Sequence, residues 1–531
     1  MTRPTTALIC ACALLAGCPV EEEESGFVVL DARGSLLRAS TDLRGVHPTE
    51  EELQAVEANT DLYPEFVDRW LDDPRFLGRV REIFNTRYLT RDGSSYGEEP
   101  LRLLTHVVAN DLPFRELVTA DYTVADAALA DMFDIDVPAG AADIDGWAPG
   151  WYRDGRPHAG VLTQTSLWLR YPSAGGNANR HRANAVSKLL LCDDYLDRPI
   201  AFTRNAVDQV TVDPEQAIRD SESCQSCHAT LDPLAAHFFG FFGYDEDDDE
   251  GFFDPTVYRP ENETQWREYA NRPPGWYGTP TSNLEEMGAQ VAGDPRFVDC
   301  AVQTLWEGLT QRTYEDADWT EFQARRADFV DSGENVKALA RAVVLSDAYL
   351  AAEVLDPTDA ARISTVRTAS PAQLAGIVEG ITGYRWTFGG ADGLTSPTYG
   401  LKPLAGGVDG RSASRVTRDP SVGTTFVQER LAQTAAHYVV SHDLARDRDG
   451  DAILLGSVNV DDRPDVSEEA FHAQIRALYL AATGRPLPED APEPAALTTL
   501  WQQIYSVDAS PTDAWSGVVT AVLRDPAVLF Y

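Results

Sequence analysis

The chain has 531 residues, 43% of them apolar, and a formal net charge of −40 from 84 acidic and 44 basic side chains. That length supports two to four domains with sizeable cores, and the apolar content excludes a disordered polymer. So acidic a surface repels phosphate backbones and argues against nucleic acid as a partner.

The N-terminus reads as an export signal. Arg3 precedes the apolar run "ALICACALLAGC", which is too short for a membrane span and ends in small residues. Leu15-Ala16-Gly17-Cys18 has the form of a bacterial lipobox, in which cleavage falls before Cys18 and its thiol is acylated. An ordinary signal peptide with chance cysteines is the alternative. The expectation is a lipoprotein signal peptide over 1–17 and an exported bacterial lipoprotein, in the periplasm or at the cell surface. Pro19 stands where the usual inner-membrane sorting aspartate would be, which points to an outer-membrane anchor. Residues 18–40 then read as an acidic tether, "PVEEEESG", followed by a short strand in "GFVVLDA".

Beyond residue 40 most of the chain reads as helix. "HPTEEELQAV" predicts a capping box of Thr49 with Glu52. "SPAQLAGIVEGI" starts on Ser370 as cap with Pro371 in the first turn, and "AQIRALYLAATG" is stopped by Gly484. Three stretches end in related words, "DDPRFLGRV", "GDPRFVDC" and "RDPAVLFY", where Asp-Pro forces a stop and a restart. Irregular sequence fills 135–160 and 244–282, and "SPTYGLKPLAGGVDGRSASR" predicts a long loop. The fold class is mainly α, multi-domain and helical, with long irregular loops and little β. We divide it into an N-terminal helical domain over 41–180, a motif-bearing domain with a following helical subdomain over 181–355, and a C-terminal helical domain over 356–531.

The motif is "SESCQSCHATLDPL" at 221–234. Cys224, Cys227 and His228 suit a haem, a zinc ion or a redox disulfide. Two thiols three apart on a helical turn reach both vinyl groups of a haem, and the adjacent histidine meets the iron. A zinc ribbon needs a second ligand pair, which Cys192 and Cys300, single and distant, do not make. A thioredoxin-like pair follows a buried strand, whereas polar, helix-like sequence precedes Cys224. The exported context favours one covalent haem c, hence iron. Phe238 and the aromatic residues after it predict an apolar haem pocket.

"CQSCHATLDPL" resembles the CxxCHxxIDPLG signature of planctomycete-type multi-domain cytochrome c proteins, exported proteins built of domains of unknown function. "STDLRGVHPTEEEL", "PFRELVTADYTVADAALADMF", "GVLTQTSLWL", "VAGDPRFVDCAVQTLWEGLTQR" and "RALYLAATGRP" are similar to further words of that family, in order along most of the chain. Ala235 and Ala236 depart from its Gly-Phe. The resemblance implies haem c and export, and no substrate.

The functional expectation is one-electron transfer to a redox partner protein that the sequence does not identify, with the membrane as a second partner through the lipid anchor. An electron carrier is preferred over an enzyme. The alternatives are a haem-dependent peroxidase or oxygenase with an open distal site, or a surface scaffold lipoprotein with structural haem. His228 is the expected proximal ligand, with Met287 as sixth ligand and His237 as its alternative. Arg180 or Arg182, in the Gly/Asn-rich "SAGGNANRHRANAV", is expected at a haem propionate. Cys192 and Cys300, the two thiols left after lipid and haem, are expected to form a disulfide. The acidic "GYDEDDDEG" reads as a solvated loop, with a calcium site or a dock for a basic redox partner as alternatives, and "DRDGD" lacks the full spacing and terminal glutamate of a calcium loop. Only three of the basic residues are lysines, Lys188, Lys337 and Lys402, a bias to which no functional weight is given.

Overall fold

The computed structural model describes residues 27–199, 214–245, 248–269, 272–355, 363–446 and 451–531. Helix accounts for 59% and strand for 7% of it, so the protein is mainly α. Among the described residues no helix is long and apolar enough to cross a membrane. The leader, Cys18, residues 356–362 and most of "DRDGD" lie outside the described residues.

The helices that carry the argument are α1 (Ala32–Arg44), α2 (Glu50–Ala58), α3 (Leu62–Leu71), α4 (Pro74–Tyr88), α5 (Arg180–Leu190), α6 (Pro214–Asp220), α7 (Glu222–Ala235), α8 (Leu284–Gly293), α9 (Pro295–Thr310), α10 (Pro371–Thr382), α11 (Val422–Ala445), α12 (Glu468–Thr483) and α13 (Pro511–Leu523). Their ends follow local rules. Thr49 and Glu52 close the capping box of α2, Ser370 and Gln373 that of α10, and Gly484 ends α12 in the left-handed conformation. The Asp-Pro words share one geometry. Asp73, Asp294 and Asp525 each cap a helix whose first residue is the proline, accepting from the backbone N–H of Arg75, Arg296 and Ala527.

Two apolar cores organise these helices. The first runs from Leu36 to Tyr349 and the second from Ala369 to Leu529. Residues on both sides of 180/181 share the first core, so the division expected there is not a core boundary. The segments expected to be irregular carry small antiparallel sheets. Thr123–Ala125, Ala148–Tyr152 and Ile135–Asp136 make one, and the acidic run falls on the hairpin of Phe242–Asp245 with Asp248–Phe253.

The tether reading of 18–40 needs correction from residue 32 onward. Phe27–Val29 is a strand, as expected, and pairs with Ala351–Val354, but Ala32 opens α1, which is buried almost throughout. Its polar side chains are held from both cores. Arg33 bonds Glu50 and Glu57 and also the Gly484 carbonyl, and Arg38 donates to the carbonyls of Tyr349, Ala351 and Thr365. Arg44 pairs with Glu52 and lies 4.1 Å over the Trp70 ring. Asp42 receives Tyr349, Arg367 and Tyr531. A polar helix is buried here because every charge on it finds a partner.

Candidate functional site

Cys224, Cys227 and His228 lie on the first two turns of α7, a helix that packs on α5 and α6. The cysteines are three apart, so they share a helical face, and both are half-buried free thiols. Gln225 ties the start of the helix to the carbonyls of Ile218 and Arg219, and Arg272 donates to Gln225 at 2.6 Å. Thr230 meets the Tyr195 hydroxyl at 2.8 Å, and Cys227 packs against the first core.

One turn beyond His228 stands Asp232, 1% exposed. His228 Nδ1 lies 2.9 Å from the Asp232 carboxylate, and Arg180 Nε donates to the same oxygen at 2.7 Å. Burial alone would push the Asp232 carboxyl up. The hydrogen bonds from His228 and Arg180 outweigh that and hold it below its ordinary value. An ionised acceptor at Nδ1 places the ring proton there, leaving the Nε2 lone pair for a ligand bond. Among the described residues no protein group bonds that Nε2. Asp232 is not among the site residues expected from the sequence. Its signal is the four-residue step from His228 on a helix, which brings the two side chains to one face.

Cys192 and Cys300 are joined in a disulfide, which removes both from any zinc site. Among the described residues no group of three or more His, Cys, Asp or Glu side chains is gathered as for a bound metal ion. The CxxC pair is preceded by helix α6 and not by a strand, so the strand-to-helix turn of a thioredoxin-like site is absent at that point.

Other expected site residues fall elsewhere. Of the two arginines expected at a propionate, only Arg180 reaches α7, and Asp232 already holds its guanidinium. Arg182 sits about 200° further round α5. It is fully buried, 5.6 Å from the ring centroids of Phe241 and Phe253, and burial pulls it down to about 9. Phe238 is taken up by the core, its ring edge-on to Trp168 at 4.7 Å. Phe239 and Phe242 close a small cluster with Ala178 and Phe253. Met287, on α8, is a fully buried core residue. His237 is 3% exposed with both ring nitrogens engaged, Nδ1 on the Leu234 carbonyl and Nε2 on the Thr281 hydroxyl. A ligand must offer a lone pair toward the iron, and His237 has none to spare in this arrangement.

Comparison of the chain with protein-family models, with curated proteins and with solved structures found no match.

Proposed function

We propose that this protein is an exported c-type cytochrome, anchored through acylated Cys18, which carries one covalent haem and passes single electrons to a redox partner protein. The observation that carries this reading is the arrangement on α7. Two free thiols one helical turn apart are followed by a histidine whose Nδ1 is already held by a buried carboxylate. Cys224 and Cys227 would hold the haem through thioether bonds, and His228 Nε2 would ligate the iron. A haem at this position supplies a one-electron couple. The chain's own residues do the rest. Asp232 fixes the tautomer and ring direction of His228, and Arg180 keeps Asp232 ionised. The likeness of the ordered sequence words to the planctomycete-type cytochrome c proteins supports the same reading.

The test is expression of the exported chain with a c-haem maturation system, followed by an optical and resonance Raman spectrum. The expected result is a covalently held haem that survives denaturation, with both thiols consumed. Replacing Cys224 and Cys227 with alanine should abolish it. A wild-type chain that matures without haem would overturn the reading.

A second reading, a haem-dependent peroxidase or oxygenase with an open distal site, is favoured by one observation. His237 has both nitrogens engaged and Met287 is enclosed in the core, so neither candidate sixth ligand is presented. A high-spin ferric spectrum with ready cyanide binding selects this reading. A low-spin, cyanide-resistant spectrum selects the carrier.

A further inference from the structure

A cavity of about 650 Å³ opens where α1 and α4 of the first core face α10 of the second. Six arginines line it, Arg44, Arg75, Arg79, Arg81, Arg91 and Arg385, together with Lys402; the lining carboxylates are Glu82 and Glu379. In a chain with a net charge of −40, so dense a cationic surface runs against the composition. Five of the arginines are paired sideways with acids, Arg44 with Glu52, Arg75 with Asp73, Arg79 with Glu82, Arg91 with Glu98 and Arg385 with Asp392. Those pairs hold the guanidinium groups in place.

Two cations have no such partner among the described residues. Arg81 donates only to the Thr105 hydroxyl, at 3.0 Å. Lys402 is 4% exposed, yet its ammonium makes no hydrogen bond and no ion pair among the described residues, while its side chain lines both this cavity and the adjoining one beside Arg418 and Thr368. Its stem is buried and its ammonium meets the cavity without a protein partner, an arrangement that a counter-charge in the cavity would stabilise. Burial, with Arg91 adding repulsion, draws Lys402 down to about 8 against the opposing pull of Glu82, Glu98 and Asp409. Burial also draws Arg81 down to about 10. Four glycines, Gly45, Gly78, Gly376 and Gly380, make up half of the remaining wall, and the lining holds no aromatic ring to stack a base.

We propose that this cleft binds a small non-aromatic polyanion, carrying two or more carboxylate or phosphate groups, with Lys402 and Arg81 as the charges it neutralises. The arginine forks match both kinds of group. Because the walls come from both cores, the bound anion ties them together. The proposal does not rest on the haem reading.

Isothermal titration of the full mature chain with citrate and with inorganic pyrophosphate, at constant ionic strength set by sodium chloride, tests it. The expected result is one-to-one binding of at least one probe. Citrate alone assigns the carboxylate class and pyrophosphate alone the phosphate class. At pH 8.5 binding should take up a proton as Lys402 becomes fully charged, seen as a heat that depends on the buffer's ionisation enthalpy. Lys402→Met and Arg81→Gln should each weaken binding by about tenfold or more, and Lys402→Met should abolish the proton uptake. Lys402→Met removes an unpaired charge from a largely buried side chain, so its unliganded melting temperature should hold or rise, which shows that lost binding is not lost folding. Arg524→Gln, an exposed arginine on the second core, should bind as wild type. Failure of both probes to bind the wild-type chain, or equal binding by wild type and Lys402→Met, would overturn the proposal.

Discussion

Arg367 and Asp42 form an ion pair sealed from solvent, with side chains 1% and 0% exposed. Asp42 belongs to α1, and Arg367 lies just ahead of α10 in the second core's part of the chain, so the pair joins the two halves of the molecule. Asp42 also accepts from the hydroxyls of Tyr349 and Tyr531 and from the Gln373 amide, and Arg367 lies 4.1 Å from the Tyr349 ring. The members share Asp42 as their common acceptor, and only Nε of Arg367 is left without a partner, which makes the cluster intolerant of losing that carboxylate.

Asp42→Ala should therefore destabilise the protein by about 3–5 kcal/mol, because Arg367 is left buried and unpaired. Denaturant unfolding measures this. The double change Asp42→Leu with Arg367→Met should recover much of the loss, since an apolar pair leaves no orphaned charge. A double variant as unstable as the single one would show that packing, and not charge, dominates the cluster.

This cluster also shows where the sequence stops being legible. The caps at Thr49, Ser370 and Gly484 and the Asp-Pro restarts depend on near neighbours and could be read directly. Helix α1 could not. "ARGSLLRASTDLR" has too few apolar residues to predict burial, and its partners Tyr349, Arg367 and Tyr531 are hundreds of residues away. At the candidate site the motif residues Cys224, Cys227 and His228 were legible from spacing. Asp232 was within reach of helical periodicity, while the salt bridge from Arg180 needs the packing of α5 on α7. Lys402 carried no sequence signal, because its burial depends on the short helix Leu401–Leu404 packing where the two cores meet.

The Cys192–Cys300 disulfide spans 108 residues and links the chain just past α5 to α9. Closing so long a loop lowers the entropy of the unfolded chain, and replacing both cysteines with alanine should cost about 2–5 kcal/mol. Peptide mapping without reductant should recover 192 and 300 in one cross-linked species and keep Cys224 and Cys227 out of it. Cross-links that join either motif cysteine to Cys192 or Cys300 would contradict the structure.

His237 gives the protein an acid-sensitive point. Burial holds its folded value down to about 4, against 6.5 for the unfolded chain. The neutral ring is the native form, so its contribution is complete above pH 6.5. As pH falls from 6.5 to 4 the unfolded chain binds a proton that the native state refuses, and stability drops. The full loss is about 3 kcal/mol, because a tenfold difference in proton affinity between the two states is worth about 1.4 kcal/mol. Unfolding free energies measured between pH 7 and 4 should show this decline, and His237→Gln should make it shallower without abolishing it, because His47, also held down to about 4 by burial, keeps its own share. An equal slope in the variant would move the acid sensitivity to other groups.

On the haem reading, the sharpest consequence concerns Asp232. An ionised carboxylate at Nδ1 makes the His228 ring a stronger donor at Nε2, which favours the more highly charged ferric iron and lowers the reduction potential. Asp232→Asn keeps the shape and an oxygen acceptor but removes the charge. The potential should rise, by about 60 mV for each tenfold loss of ferric over ferrous preference in a one-electron couple. Arg180 sits on the far side of the same carboxylate, so Arg180→Gln should move the potential in the opposite direction, as the full negative charge is felt at the ring. A structural role alone would lower the stability of both variants without giving opposite shifts. Spectroelectrochemical titration of the matured wild-type and variant proteins distinguishes the two, and shifts of the same sign would remove Asp232 from any role in setting the potential.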